Sequence, residues 1–217
     1  MRDAYHEDLD EITNQLVEMT RLVGGAAGRA TTALLDADLA MAESVIEGDH
    51  AIDDLYHQVE ENAFDLLARQ QPVASDLRIL VTSLRMVADL ERSGDLALHL
   101  AKLARRRYPG SAVPPELRST ILEMGQVAER IVAKAGSVIS ARDVVTAVEL
   151  EKDDDVMDDL HRRLFTVMLD EDWPHGVDTA IDIALAGRYY ERFADHAVSV
   201  ARRVVYLVTG ERVLAPG

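Results

Sequence analysis

Glu91-Arg92-Ser93-Gly94-Asp95 and Glu191-Arg192-Phe193-Ala194-Asp195 share the pattern E-R-x-x-D and lie 100 positions apart. Residues four apart on a helix stand one turn above each other on one face, so each element presents a pair of carboxylates. Wound at about 100° per residue, Leu77, Leu80, Val81, Leu84, Ala88 and Leu98 form an apolar stripe that also contains Glu91 and Asp95. Arg78, Arg85, Asp89 and Arg92 fall on a separate polar stripe. Val177, Ala180, Ile181, Ala184 and Val198 carry Glu191 and Asp195 in the same way, with Arg188 alongside. Charge on an apolar stripe is costly unless something cationic compensates it.

A second helical stretch supplies facing acids. Ala42, Val45, Ile52, Tyr56, Ala63 and Leu67 mark its apolar side, Asp49 points the same way, and Asp53 lies at the margin. Two helices of one bundle thus aim four carboxylates at each other. Clustered carboxylates repel and hold their protons more tightly, and a bound divalent or trivalent cation reverses that cost. All-oxygen ligation suits Mg, Mn, Ca or Fe. Two other readings stay open at this point: arginine pairing through Arg92, Arg192, Arg188 or Arg85, and a solvated acidic surface. The pairs Asp54/His57 and Asp158/His161 have the i,i+3 spacing used by ferritin-like di-metal bundles. They are displaced toward the polar side, where surface hydrogen bonding is expected instead. His196 adjoins Asp195 but points elsewhere, which suits a supporting or interfacial place.

The elements that must position these groups are all helical. Apolar residues recur at spacings of three and four almost everywhere, and aromatics are 5% of the chain. The periodicity predicts helices over 4–35, 38–70, 75–107, 116–140, 142–170 and 176–208, long enough to indicate bundles. Asp38 is expected to cap the second, Pro72 to end it, and Ser75-Asp76 to start the third. Pro109 to Pro115 reads as the linker. The halves resemble each other at a shift of 104 up to the fifth helix, pairing Asp49, Asp54 and His57 with Asp153, Asp158 and His161, and at 100 in the last. A four-residue deletion in the intervening hairpin accounts for the change. The expected fold is all-α: two tandem three-helix bundles, 1–110 and 114–217, related by internal duplication.

Composition narrows the function. Cysteine is absent, which excludes disulfides, Cys-ligated zinc, iron–sulfur clusters and thiol catalysis. The net charge of −16 argues against nucleic acid. The basic run Lys102-Leu103-Ala104-Arg105-Arg106-Arg107 ends a helix, where cations favour the macrodipole, with a partner-docking patch as the alternative reading. No apolar run reaches 18 residues, and the polar start Met1 to Asp8 is unlike a secretory leader, so a cytoplasmic place is expected. Gly24-Gly25-Ala26-Ala27-Gly28 lacks the Lys-Ser/Thr ending of a nucleotide loop and is expected to serve close helix packing. No serine nucleophile elbow is present.

These residues resemble the PhoU family. Arg69-Gln70-Gln71-Pro72-Val73-Ala74-Ser75-Asp76-Leu77-Arg78 is similar to its R-Q-P-x-A-x-D-L-R stretch, and Asp89-Leu90-Glu91-Arg92-Ser93-Gly94-Asp95 to its E-L-E-R-I-G-D. Val45 to Asp49 and Tyr190 to Asp195 match in order. The resemblance implies metal-binding E/D-x-x-x-D motifs at Glu91, Asp95, Glu191 and Asp195, with Asp49 and Asp53 on the facing helix. In the second half Met157 occupies the position matching Asp53, and a one-residue register change brings in Asp154 and Asp158. The metal implied is Fe, Mn, Mg or Zn. The resemblance also implies a non-enzymatic negative regulator of phosphate uptake and signalling. It would act as a homodimer docking on the ATPase subunit of a phosphate ABC importer and on a phosphate sensor histidine kinase, touching the membrane only through these partners. The runner-up is a carboxylate-bridged di-metal enzyme, which needs His57 and His161 at a metal.

Overall fold

The computed structural model describes residues 2–211, so the outer limits of the two expected domains, residues 1 and 212–217, lie outside it. Its α-helices are α1 (Arg2–Asp36), α2 (Leu39–Gly48), α3 (His50–Gln70), α4 (Ser75–Arg107), α5 (Arg118–Ala141), α6 (Val144–Met168) and α7 (Gly176–Thr209). A short 3-10 turn, Pro115–Leu117, leads into α5.

Local chemistry sets most of the boundaries. Asp38 caps α2 by accepting from the Met41 amide at 2.9 Å. Asp143 does the same for α6, accepting from Val145 at 2.9 Å and Thr146 at 3.2 Å. Gln71 and Arg142 end α3 and α5 in the left-handed region, with φ of 45° and 51°. α4 starts at Ser75, as expected. The capping position before it is Ala74 at φ 49°, with no side-chain cap. The stretch expected as one helix over 38–70 is interrupted at Asp49, directly after Gly48, a weak helix former. Asp49 keeps right-handed dihedrals, so α3 continues the course of α2.

The two halves do not have separate cores. α1, α4, α7 and α5 pack in a ring, each against the next, with α2–α3 laid over α1 and α4 and α6 over α5 and α7. Buried side chains from all of them form one continuous cluster. On one side of the ring α1 and α5 cross antiparallel. A Cβ on Gly136 would sit 2.4 Å from Thr20 Oγ1, and one on Gly125 would sit 2.5 Å from the Thr31 side chain. Thr20 and Gly125 are duplicates of each other, as are Thr31 and Gly136, so the crossing follows a pseudo-twofold axis. Gly24 likewise abuts Val132, as expected of close packing. Nearby, the hydroxyls of Thr31 and fully buried Tyr190 share a hydrogen bond of 2.8 Å, tying α1 to α7.

Burial also corrects the register of the duplication. The capping pair Asp38/Asp143, and the buried pairs Ala42/Ala147, Val45/Leu150, Ile52/Met157 and Val59/Leu164, all stand 105 apart rather than 104. In α4 and α7 the buried residues match at 100, as in Val87/Gly187, Leu90/Tyr190 and Ala97/Ala197. The hairpin deletion is therefore five residues. Asp49 and Asp53 then correspond to Asp154 and Asp158, and Tyr56, not His57, corresponds to His161.

Gly136→Ala should destabilise the fold by about 1–2 kcal/mol, overpacking against Thr20 outweighing the gain in helix propensity. Adding Thr20→Ala should recover most of it. Urea denaturation of the two variants checks this.

Candidate metal centres

The first carboxylate cluster forms where the start of α3 meets the middle of α4. Burial pushes the Asp49 carboxyl above its ordinary range, Asp53 and Asp95 push it further, and Lys102 and His50 oppose them. Glu91 is raised by burial, by Asp95 and Asp53, and by Asp49, with Arg92 opposing. The four expected residues Asp49, Asp53, Glu91 and Asp95 are therefore brought into one interacting group. Tyr56 borders it, donating from Oη to Glu60 Oε1 at 2.8 Å, and both Glu60 and Glu91 raise the phenol.

The second cluster joins α6 to α7. Asp154 is pushed up to about 6 by burial, then by Asp195 and Asp158, with Arg202 opposing. Asp153, the residue matching Asp49 at a shift of 104, instead meets Lys134 Nζ at 2.5 Å and Arg130 at 4.0 Å. Met157 is fully buried. The one-residue register change is what the helix does, because Met157 takes the core position of Ile52. Glu191 is engaged by Arg188, so the second cluster has one acid already paired. Each cluster has a cation from the same duplicated position, Lys102 in one half and Arg202 in the other.

Neither cluster lies on a core-facing stripe. Leu77, Val81, Val177 and Ile181, which share the stripes of the acidic elements, are 42%, 37%, 73% and 51% exposed. The core faces of α4 and α7 lie elsewhere, through Leu80, Met86, Val87, Leu90 and Ala97, and through Ile183, Ala186, Tyr190, Phe193 and Ala197. The acids occupy the water-facing seam between neighbouring helices. Their donors are all oxygen and mutually repelling, which fits a hard cation. Among the described residues, however, no three acid or histidine side chains converge closely enough to hold one.

The deeply buried carboxylates are Asp89 and Asp182, at 5% and 2% exposure. The helical wheel puts Asp89 on a polar stripe; the fold corrects this, because α4 is covered on almost every side. Asp89 accepts from Ser199 Oγ at 2.9 Å and Arg203 Nε at 2.6 Å, with His196 Nδ1 at 3.4 Å. Burial raises its pKa, but the hydrogen bonds from His196, Arg203 and Ser199 together outweigh that and leave it below its ordinary value. Asp182 accepts from Arg106 and Arg107, and Arg107 Nη2 also donates to the Asp178 carbonyl at 3.0 Å. The basic run at the end of α4 thus clamps α7 as well as closing its own helix. Arginine pairing does occur in this protein, in part between the halves and, apart from Arg188 on Glu191, at acids other than the E-R-x-x-D pairs. A basic run facing an acid within an apolar periodicity, as at Asp182, was the available signal.

His57 is exposed and 3.9 Å from Glu60. His161 lies edge-on to Phe165, with ring centroids 5.1 Å apart.

The PhoU domain profile matches residues 16–104 and 121–204, once per half. The chain belongs to the PhoU family. It is 52% identical over 210 residues to "Phosphate-specific transport system accessory protein PhoU homolog 2" of Mycobacterium bovis, covering 97% of this chain and 99% of that protein. Identity to PhoU homolog 1 of Mycobacterium leprae is 50%, over 97% of this chain and 95% of that one. The crystal structure of PhoU from Pseudomonas aeruginosa superposes with a TM-score of 0.86 at 31% identity, covering 95% of this chain and all of that one. The phosphate transport system regulatory protein PhoU from Streptococcus pneumoniae gives 0.85 at 26% identity, covering 97% of this chain and all of that one.

Two outcomes test the electrostatics of this PhoU-family chain. Asp89→Ala strands Arg203 at the join between the halves and should cost about 3 kcal/mol in thermal or urea unfolding. Asp154 behaves oppositely, since its folded pKa lies above its unfolded value. The stability it contributes is present below about pH 4 and is lost as pH rises through about 6. In chelator, Asp154→Asn should therefore stabilise the protein at pH 7 by about 1 kcal/mol, after discounting for partial exposure. The difference from wild type should vanish near pH 4.

Proposed function

We propose that this chain is a non-enzymatic negative regulator of phosphate uptake and of phosphate two-component signalling, acting by contact. The observation that carries the reading is the pair of duplicated, water-facing acidic seams on α3/α4 and α6/α7, each beside exposed apolar residues of the same helices. It is supported by relatives named phosphate-specific transport system accessory proteins. Apolar side chains next to a charged seam are suited to docking another protein. The partners proposed are the ATPase subunit of a phosphate ABC importer and the phosphate sensor histidine kinase. No described helix is long and apolar enough to cross a membrane, so contact with the membrane is proposed to run through these partners.

Glu91, Asp95, Asp49 and Asp53 would hold a metal ion in the first half, and Asp154, Asp158, Asp195 and Glu191 in the second, each set drawing closer together than it stands here. Such an ion supplies positive charge to a seam that otherwise repels itself. The residues' own part is to present oxygen donors from two helices at once, so that a change in charge there is also a change in how α3 sits on α4. Glu191 must leave Arg188 to join its set, which makes the second seam the weaker holder. The di-metal enzyme reading gains nothing from His57 or His161, whose contacts are with Glu60 and Phe165.

Manganese, iron or magnesium should raise the thermal midpoint of the wild-type protein, and the double variant Glu91→Ala, Glu191→Ala should lose most of that rise. The same variant should pull down less importer ATPase and sensor kinase than wild type does. Unchanged capture of both partners would remove the acidic seams from the mechanism.

A further inference from the structure

The join between α4 and α7 holds two sites related by the duplication, and they are filled differently. In one, Asp89 supplies a carboxylate that Ser199 and Arg203 hold. In the other the duplicate of Asp89 is Tyr189, and no acid of that position enters. What stands there is an open cleft of about 560 Å³. Its floor is apolar and aromatic: Leu103 and Leu185 side by side, with Tyr189 5.3 Å from the ring of His99. Its rim is His99, Lys102, Arg105 and Arg106, cationic in a chain of net charge −16.

The state of these cations shows what the cleft lacks. Arg106 shares Asp182 with Arg107, two guanidiniums on one carboxylate. Arg105 reaches Glu43 only at 3.5 Å, leaving most of its donors unused. Lys102 feels Asp49 electrostatically but makes no hydrogen bond or ion pair among the described residues. His99 Nδ1 is committed to the Asp95 carbonyl at 2.5 Å. Three cations therefore border an apolar and aromatic floor, at the place where the duplicate site is neutralised by its own carboxylate.

We propose that this cleft binds a phosphoryl-bearing small molecule with a planar body, of the nucleoside diphosphate or triphosphate class. The phosphoryl oxygens would be taken by Lys102 and Arg105, with Arg106 completing the rim, and the base would rest against Tyr189 and Leu185. Guanidinium forks and a lysine match phosphoryl oxygens, and the volume lies in the range of small-molecule sites. A bare oxyanion leaves the floor uncovered, and a neutral nucleoside leaves the rim unpaired, so both parts of the ligand are needed. The proposal does not rest on a metal at the acidic seams, although Lys102 also faces Asp49 of the first one.

The test is calorimetric titration of the whole protein in EDTA with ADP, ATP, adenosine, pyrophosphate and inorganic phosphate. ADP or ATP should bind saturably and at least tenfold more tightly than the other three. Lys102→Ala with Arg105→Ala, both exposed side chains, should weaken binding at least tenfold while the thermal midpoint stays near that of wild type. Tyr189→Asp, which restores the carboxylate of the duplicate site, should abolish it. Glu91→Ala with Glu191→Ala should leave it intact, separating this site from the docking seams. Absence of saturable ADP or ATP binding, pyrophosphate binding as tight as ADP, or indifference to the Lys102/Arg105 pair would each overturn the proposal.

Discussion

α4 and α7 are packed against their own trios on one side and against each other on the other, and this double burial constrains the rest of the molecule. A helix covered on most of its circumference can offer water only a narrow strip. In α4 that strip carries Leu77, Val81, Arg92 and Asp95, and in α7 it carries Val177, Ile181, Arg192 and Asp195. Any charged group not on the strip must find a partner inside. Asp89 and Asp182 are those groups, and the arginines they recruit come from the opposite half. The ring is thus closed by ion pairs whose geometry follows from how little open surface α4 and α7 have.

Two populations of carboxylate result, with opposite thermodynamic signs. Asp89 is held below its ordinary pKa, so its negative charge contributes to stability. Asp49, Glu91 and Asp154 are held above theirs, so their charge opposes the fold at neutral pH. A fold that keeps such a cost in both copies is storing electrostatic free energy at an accessible place. A cation or a basic surface placed there would release it. This makes the seams responsive in a way that the internal ion pairs are not.

The duplication keeps which positions are buried better than it keeps their chemistry. Thr20 and Thr31 meet Gly136 and Gly125 in mirrored fashion, and the buried positions repeat throughout. Yet Asp89 became Tyr189, Lys102 became Arg202, and Tyr56 became His161. Core positions are shared by both halves through one hydrophobic cluster, and a change of volume there is felt by both. Outside that cluster each half is free to diverge, which is why duplicated positions in the seams and at the α4–α7 join hold different groups.

Helix content, the linker, both E-R-x-x-D pairs and the membership of the first acidic cluster were legible in the chain, because apolar periodicity and i,i+4 spacing are local properties that every helix obeys. Capping by Asp38 was legible for the same reason. Which face of α4 is the core was not: a wheel reports where apolar residues lie, and α4 has them nearly all round, so Leu77 and Val81 looked buried and Asp89 looked solvated. The register of the duplication was settled by Met157 filling the place of Ile52, a matter of packing volume between helices. The roles of Arg106, Arg107 and Arg203 required a partner helix more than 70 residues away. Sequence spacing determined which side chains share a turn, and only the tertiary arrangement decided which turns meet, because long-range burial fixes rotation about each helix axis and local pattern does not.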